Sequence, residues 1–148
     1  LRRTKTADFV FPVISERRYM ENCCTDWNEE SLNWRFKEHP YNKYFTFILS
    51  QKDFVIYKIR KIKGLSTAVI MIGDSSDGEF FCKEFIKYLS KSGIAMISYN
   101  GMNDVFEKFF KKKIIVARSS VKINYVTRDL PCDLENRIVL ELADTDYH

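Results

Sequence analysis

The sequence predicts an α/β domain built around two buried parallel strands joined by an amphipathic helix. Three consecutive stretches carry that prediction. Residues 67–72 are almost continuously apolar, as in a central strand covered on both faces. Residues 77–92 set Phe81, Phe85 and Leu89 beside Cys82 and Ile86, with Lys83, Glu84, Lys87 and Lys91 opposite, which is a helical period. Residues 94–98 then return to a second apolar strand. A strand, helix, strand unit of this kind pairs its strands in parallel through a right-handed crossover.

The other elements follow in chain order. Residues 9–14 form a short apolar stretch broken by Pro12, expected at a sheet edge. Asp26 or Asn28 caps a first helix, with Glu29 and Glu30 at its positive end and Leu32, Arg35, Phe36 and His39 on one face. Pro40 ends it, because the residue before a proline is driven out of the helical region. Phe45, Phe47 and Leu49 alternate with Tyr44, Thr46 and Ile48; after a turn at 50–53, Val55, Tyr57 and Ile59 alternate with Phe54, Ile56 and Lys58. These are the two arms of an antiparallel hairpin. Ser76 and Glu79 have capping-box spacing at the start of the central helix, and Gly93 supplies its stop. A shorter helix, capped by Asn103, carries Val105 and Phe109 beside Phe106 and Phe110 and ends on Lys111, Lys112 and Lys113, where cations suit the helix dipole. Residues 114–117, 121–126 and 137–142 read as terminal strands, with Asp129, Pro131 and Cys132 in a loop before the last.

One domain over residues 1–148 accounts for the length, and a hydrophobic fraction of 45% is ample for a core. Twenty-four Lys and Arg against 20 Asp and Glu leave a net charge of +4, spread over short runs, which is too little to imply nucleic acid. The longest apolar run is far too short to span a bilayer, so no membrane partner is expected. Cys23, Cys24, Cys82 and Cys132 lack any zinc-ligand spacing, and His39 and His148 lie far apart in sequence, so no metal is expected. Reduced thiols in a cytoplasmic protein are the expectation. Because the chain starts at Leu1, a trimmed N-terminus stays open.

The local sequence goes further than the element order. Ser31, Leu32, Asn33, Trp34, Arg35 and Phe36, followed by His39, Pro40 and Tyr44, resemble the LNWRY…HP…Y stretch of a bacterial GNAT-like group of N-acyltransferases. Members of that group are often tied to surface-polysaccharide and sugar modification, and many have two GNAT-like halves. Residues 142–146 look like the end of the group's last strand, and residues 103–110 are similar to the helix that leads into the second-last strand of ordinary GNAT enzymes. The resemblance covers roughly residues 25–146. It implies a mixed sheet whose central parallel strand pair splays into a wedge, with helices on both faces. It also implies acyl transfer from acetyl-CoA or another acyl-CoA to a small-molecule amine such as an amino sugar. Partners would include a second GNAT-like domain, if the chain is the C-terminal half of a tandem protein, or another copy in a homodimer.

Mapped residue by residue, the resemblance puts the pantetheine-binding backbone at Ile70, Met71, Ile72 and Gly73. The pyrophosphate would sit on the helix N-terminus at Ser75, Ser76 and Gly78, with Asn103 as a further contact. Two departures from the family pattern argue against efficient catalysis. The turn carries Asp74, Asp77 and Glu79 and one glycine where active members have a basic, glycine-rich turn, and each carboxylate near a bound anion costs on the order of 1 kcal/mol. The tyrosine that protonates the departing thiolate falls at Phe110, which has no proton to give. Tyr99, at the end of the second central strand, is the candidate replacement acid; a packed tyrosine is the alternative. Arg35, His39 and Asp144 are candidates for the acceptor side. For Arg35 and His39 the alternatives are an arginine paired to a carboxylate and a histidine closing the helix against Pro40; Trp34 is read as core or interface. Two functions therefore stay open: an acyl-CoA-dependent N-acyltransferase with a degraded cofactor site, or a catalytically silent domain of the same fold that recognises a substrate or partner.

Overall fold

A computed structural model describes residues 27–99 and 104–113. It is a mixed α/β structure: four strands in the order β1-β2-β3-β4, with helices on both faces. The strands predicted at 9–14, 114–117, 121–126 and 137–142 lie outside the described residues, as do Asn103 and Asp144.

Helix α1 (Glu29–Leu32) is capped by Asn28, whose side chain accepts from the Ser31 amide at 2.8 Å while the Ser31 hydroxyl accepts from the Asn28 amide at 3.0 Å. It runs directly into a π-helical segment, Asn33–Lys37. Leu32 and Phe36 are buried and anchor this run on the sheet. Trp34 is 66% exposed, so of the core or interface position expected for it the core is excluded: it points away from the face that carries Leu32 and Phe36.

Strands β1 (Tyr44–Ile48) and β2 (Phe54–Ile62) form the predicted hairpin, with Phe47 opposite Val55 and Tyr44 opposite Lys58. A second tight turn joins β2 to β3 (Leu65–Asp74), with Lys63 at φ 51° and Gly64 at φ 82°, the double positive φ that lets a two-residue turn match strand twist. Tyr57 pairs with Ile70 and Ile56 with Ile72, so Met71 is a bulge. Strand alternation fails there: Met71 and Ile72 both join the core that contains Leu32 and Phe36, whereas Ile70 faces the opposite one.

Helix α2 (Gly78–Lys91) connects β3 to β4 (Met96–Tyr99), and these two strands are parallel, with Thr67 opposite Met96 and Ile70 opposite Tyr99. The capping box expected from Ser76 and Glu79 is corrected. Asp77 is the N-cap and accepts from the Phe80 amide at 3.1 Å, while Glu79 pairs with Lys83 at 2.9 Å on the surface. The stop is the one foreseen at Gly93, with φ 72°. Amides of Gly93 and Ile94 donate back to the carbonyls of Ser90 and Leu89, and Leu89 and Ile94 bury against each other's core.

Phe81, Phe85 and Leu89 of α2 fill the larger core together with Phe47, Tyr57 and Ile70 from the sheet. Helix α3 (Asp104–Lys113) adds Phe106 and Phe109 to it. Phe106 lies hard against β3. A Cβ on Gly73 would stand 2.7 Å from Phe106 Cζ and 2.9 Å from the Phe54 carbonyl oxygen, so only glycine lets α3 sit this close.

Candidate functional site

The turn between β3 and α2 is the place where an anion would meet helix amides. Several of its donors, those of Ser75, Ser76 and Phe80, are engaged by the chain's own carboxylates. Asp53, from the β1–β2 turn, accepts on Oδ1 from the Ser76 amide at 2.8 Å and from the Ser75 and Ser76 hydroxyls at 2.9 and 3.0 Å. Its Oδ2 accepts from the Ser50 hydroxyl. The Ser75 amide donates to Asp74 Oδ1 at 2.9 Å. Partial burial raises the Asp53 pKa, but the hydrogen bonds from Ser50, Ser76 and Ser75 outweigh it and hold the group at about 2. The residues present therefore do not fit a pyrophosphate: two of the predicted contacts, Ser75 and Ser76, point their polar atoms at a carboxylate, and a third carboxylate, Asp77, caps the helix.

The predicted cofactor strand is buried: Ile70, Met71 and Ile72 are at most 3% exposed, and Gly73 lies under the Phe106 ring. One edge of this stretch pairs with β2 through Ile72 and Gly73. On the other edge the described ladder to β4 ends at Ile70 and Tyr99, while β3 runs on to Asp74. Tyr99 is half-buried at that point. Its ring lies 5.5 Å from Phe106 and 6.2 Å from Phe110, so the two residues weighed for the acid, Tyr99 and Phe110, are neighbours.

Arg35 and His39 sit on the other face of the sheet, away from the turn. His39 closes the loop after the helix: its Nδ1 accepts from the amides of Tyr41 at 3.2 Å and Asn42 at 3.1 Å, and its ring packs edge-on against Tyr44. Arg35 is half-buried and acts electrostatically on Tyr44 and Lys58. Lys58 is the residue that sequence reasoning passed over. It is 4% exposed, and burial first, then Arg60 and Arg35, push its pKa down to about 8. Burial raises the Tyr44 pKa, against the lowering effect of Arg35, Arg60 and a hydrogen bond from Asn42. The signal was present in the strand pattern, since Lys58 continues the inward series of Phe54 and Ile56. Asp53 had no such signal, because its role depends on strand register.

An open depression on the outer side of the first helix, lined by Glu29, Glu30, Trp34 and Glu38, lies apart from both groups. Among the described residues no cluster of His, Cys, Asp and Glu suits a metal ion, and no helix is long and apolar enough to cross a membrane. Compared with protein families, curated proteins and solved structures, the chain matches none.

Proposed function

We propose that this chain is a GNAT-like acyltransferase-type domain whose cofactor turn is closed by its own carboxylates, so that it serves substrate recognition or association with a partner domain instead of acyl transfer. The observation that carries the reading is the Asp53 carboxylate on the Ser76 amide. A phosphate would have to displace an acid that the fold holds ionised, and would then face Asp74 and Asp77 at short range. The mixed sheet with a parallel β3–β4 pair and helices on both faces supports the fold assignment. The Met71 bulge supports a wedge only by bending β3, because the β2–β3 ladder continues past it to Phe54 and Asp74. Calorimetry with acetyl-CoA tests the closed turn. The native chain is expected to give no heat of binding, and Asp53→Ala to gain weak binding. A low-micromolar dissociation constant for the native chain overturns the reading.

A second reading, acyl transfer to an amino sugar or other small amine, is favoured by one observation: Tyr99, on β4 opposite Ile70, stands beside Phe110. Turnover of acetyl-CoA by the native chain with a panel of amino sugars, abolished by Tyr99→Phe, would establish it. No turnover is the outcome the closed turn predicts.

A further inference from the structure

The inward register of β2 carries Phe54 and Ile56 into the core beneath the first helix, and the next residue on that face is Lys58. Lys58 is 4% exposed and lies between Tyr44 on β1 and Val69 on β3. Among the described residues no hydrogen bond or ion pair reaches its side chain, and the charges that act on it, Arg60 and Arg35, have its own sign. The stem of Lys58 is covered while its ammonium still reaches solvent among like charges, so an anion arriving from outside would offset charge that its described neighbours leave uncompensated. Arg60 continues the same strand face into solvent, giving this cation cluster an open end. The Tyr44 hydroxyl, bonded by Asn42, adds a neutral donor under the influence of both arginines.

We propose that Lys58, Arg60 and the Tyr44 hydroxyl, with Arg35 beside them, bind an oxyanion: the carboxylate or phosphate group of a small ligand entering from the Arg60 side. A guanidinium fork and an ammonium held at the edge of the core are groups that grip such an anion by charge-assisted hydrogen bonds. The site deepens the recognition reading by naming the ligand chemistry. It lies on the sheet face opposite α2, so its test is separate from that of the turn: acetyl-CoA can fail to bind at the turn while an oxyanion binds here, and the reverse.

The test is thermal unfolding of the full chain in sodium phosphate, sodium succinate or sodium chloride at equal ionic strength, for the native protein, Lys58→Met and Arg60→Gln. Phosphate or succinate should raise the native melting temperature saturably, and the stronger of the two identifies the group recognised. Lys58→Met should melt above the native chain in chloride and no longer respond to either anion. Arg60→Gln, an exposed change that leaves the core intact, should weaken the response by roughly tenfold in anion concentration. Equal shifts in native and Lys58→Met proteins, or none in the native protein, overturn the proposal. So does a Lys58→Met protein that melts below the native one in chloride, because the lysine would then be held by a carboxylate of the chain itself.

Discussion

Asp53→Ala separates the internal carboxylate from the fold it serves. The hydrogen bonds from Ser50, Ser75 and Ser76 hold the Asp53 pKa at about 2, against an ordinary value of 3.8. A shift of that size corresponds to about 2.4 kcal/mol between the two protonation states, and solvent screening at this partly exposed turn reduces its contribution to about 1–2 kcal/mol. The sign follows from the depressed pKa. The folded chain holds the proton less tightly than the unfolded chain does, so the stabilisation is complete above about pH 4 and is lost as pH falls toward 2. Urea unfolding of native and Asp53→Ala proteins at pH 7, 4 and 2.5 measures it. The native chain should be more stable by about 1–2 kcal/mol at pH 7, with the gap closing by pH 2.5. A gap that does not change with pH would refute the reasoning, because a packing contribution from the side chain has no reason to titrate.

Gly73→Ala should cost about 1–3 kcal/mol by overpacking against Phe106 and the Phe54 carbonyl, read by denaturant midpoint; a neutral result would mean that α3 does not sit on β3 as described. Cys82, fully buried with its thiol pushed up to about 12 by burial, should resist iodoacetamide in the native chain, and mass spectrometry showing ready alkylation of that peptide would contradict its place under β2 and β3. Native stability should rise as pH goes from about 8 to 9.5, because the folded Lys58 pKa of about 8 lies below that of an unfolded lysine and the unfolded chain keeps the proton longer. With the solvent screening of an ammonium that reaches water, the rise over this window should be on the order of 1 kcal/mol, and Lys58→Met should flatten it. Above pH 10 ionisation of Tyr44, whose pKa is raised by burial, opposes folding and limits the usable window.

Much of the described fold was legible because its elements announce themselves locally. The apolar run of β3, the two-sided pattern of α2 and the stop at Gly93 each need only neighbouring residues to be understood. What sequence reasoning missed is set by contacts between distant segments. Leu32 and Phe36 fall on one face in an α- or a π-turn, so the π segment could not be told from their pattern, whereas the outward place of Trp34 follows from its spacing to Leu32 in either. A run as continuously apolar as residues 67–72 has no alternation to break, so the bulge at Met71 leaves no trace in it. Ser76 and Asp77 are both good caps. Asp53, paired into place by Phe54 opposite Asp74, takes the Ser76 amide and leaves the helix to Asp77.

The charge pattern shows the same division between what is local and what is not. Asp74, Asp77 and Glu79 mark the turn as hostile to phosphate from sequence alone, yet Glu79 turns to Lys83 and the strongest effect comes from Asp53. Lys58 falls in a strand whose inward positions are otherwise apolar, and that misfit was readable; its surroundings were not, because Arg35 comes from the overlying helix and Tyr44 from the neighbouring strand. β2 thus connects the two features on which the closed-turn and oxyanion proposals rest. The residue just before it closes the helix N-terminus with a carboxylate, and its own buried lysine gathers cations on the other face of the sheet. A GNAT-like domain that binds a pyrophosphate would need the first arrangement reversed. Under the oxyanion proposal, a domain that recognises an acidic ligand would need only the second.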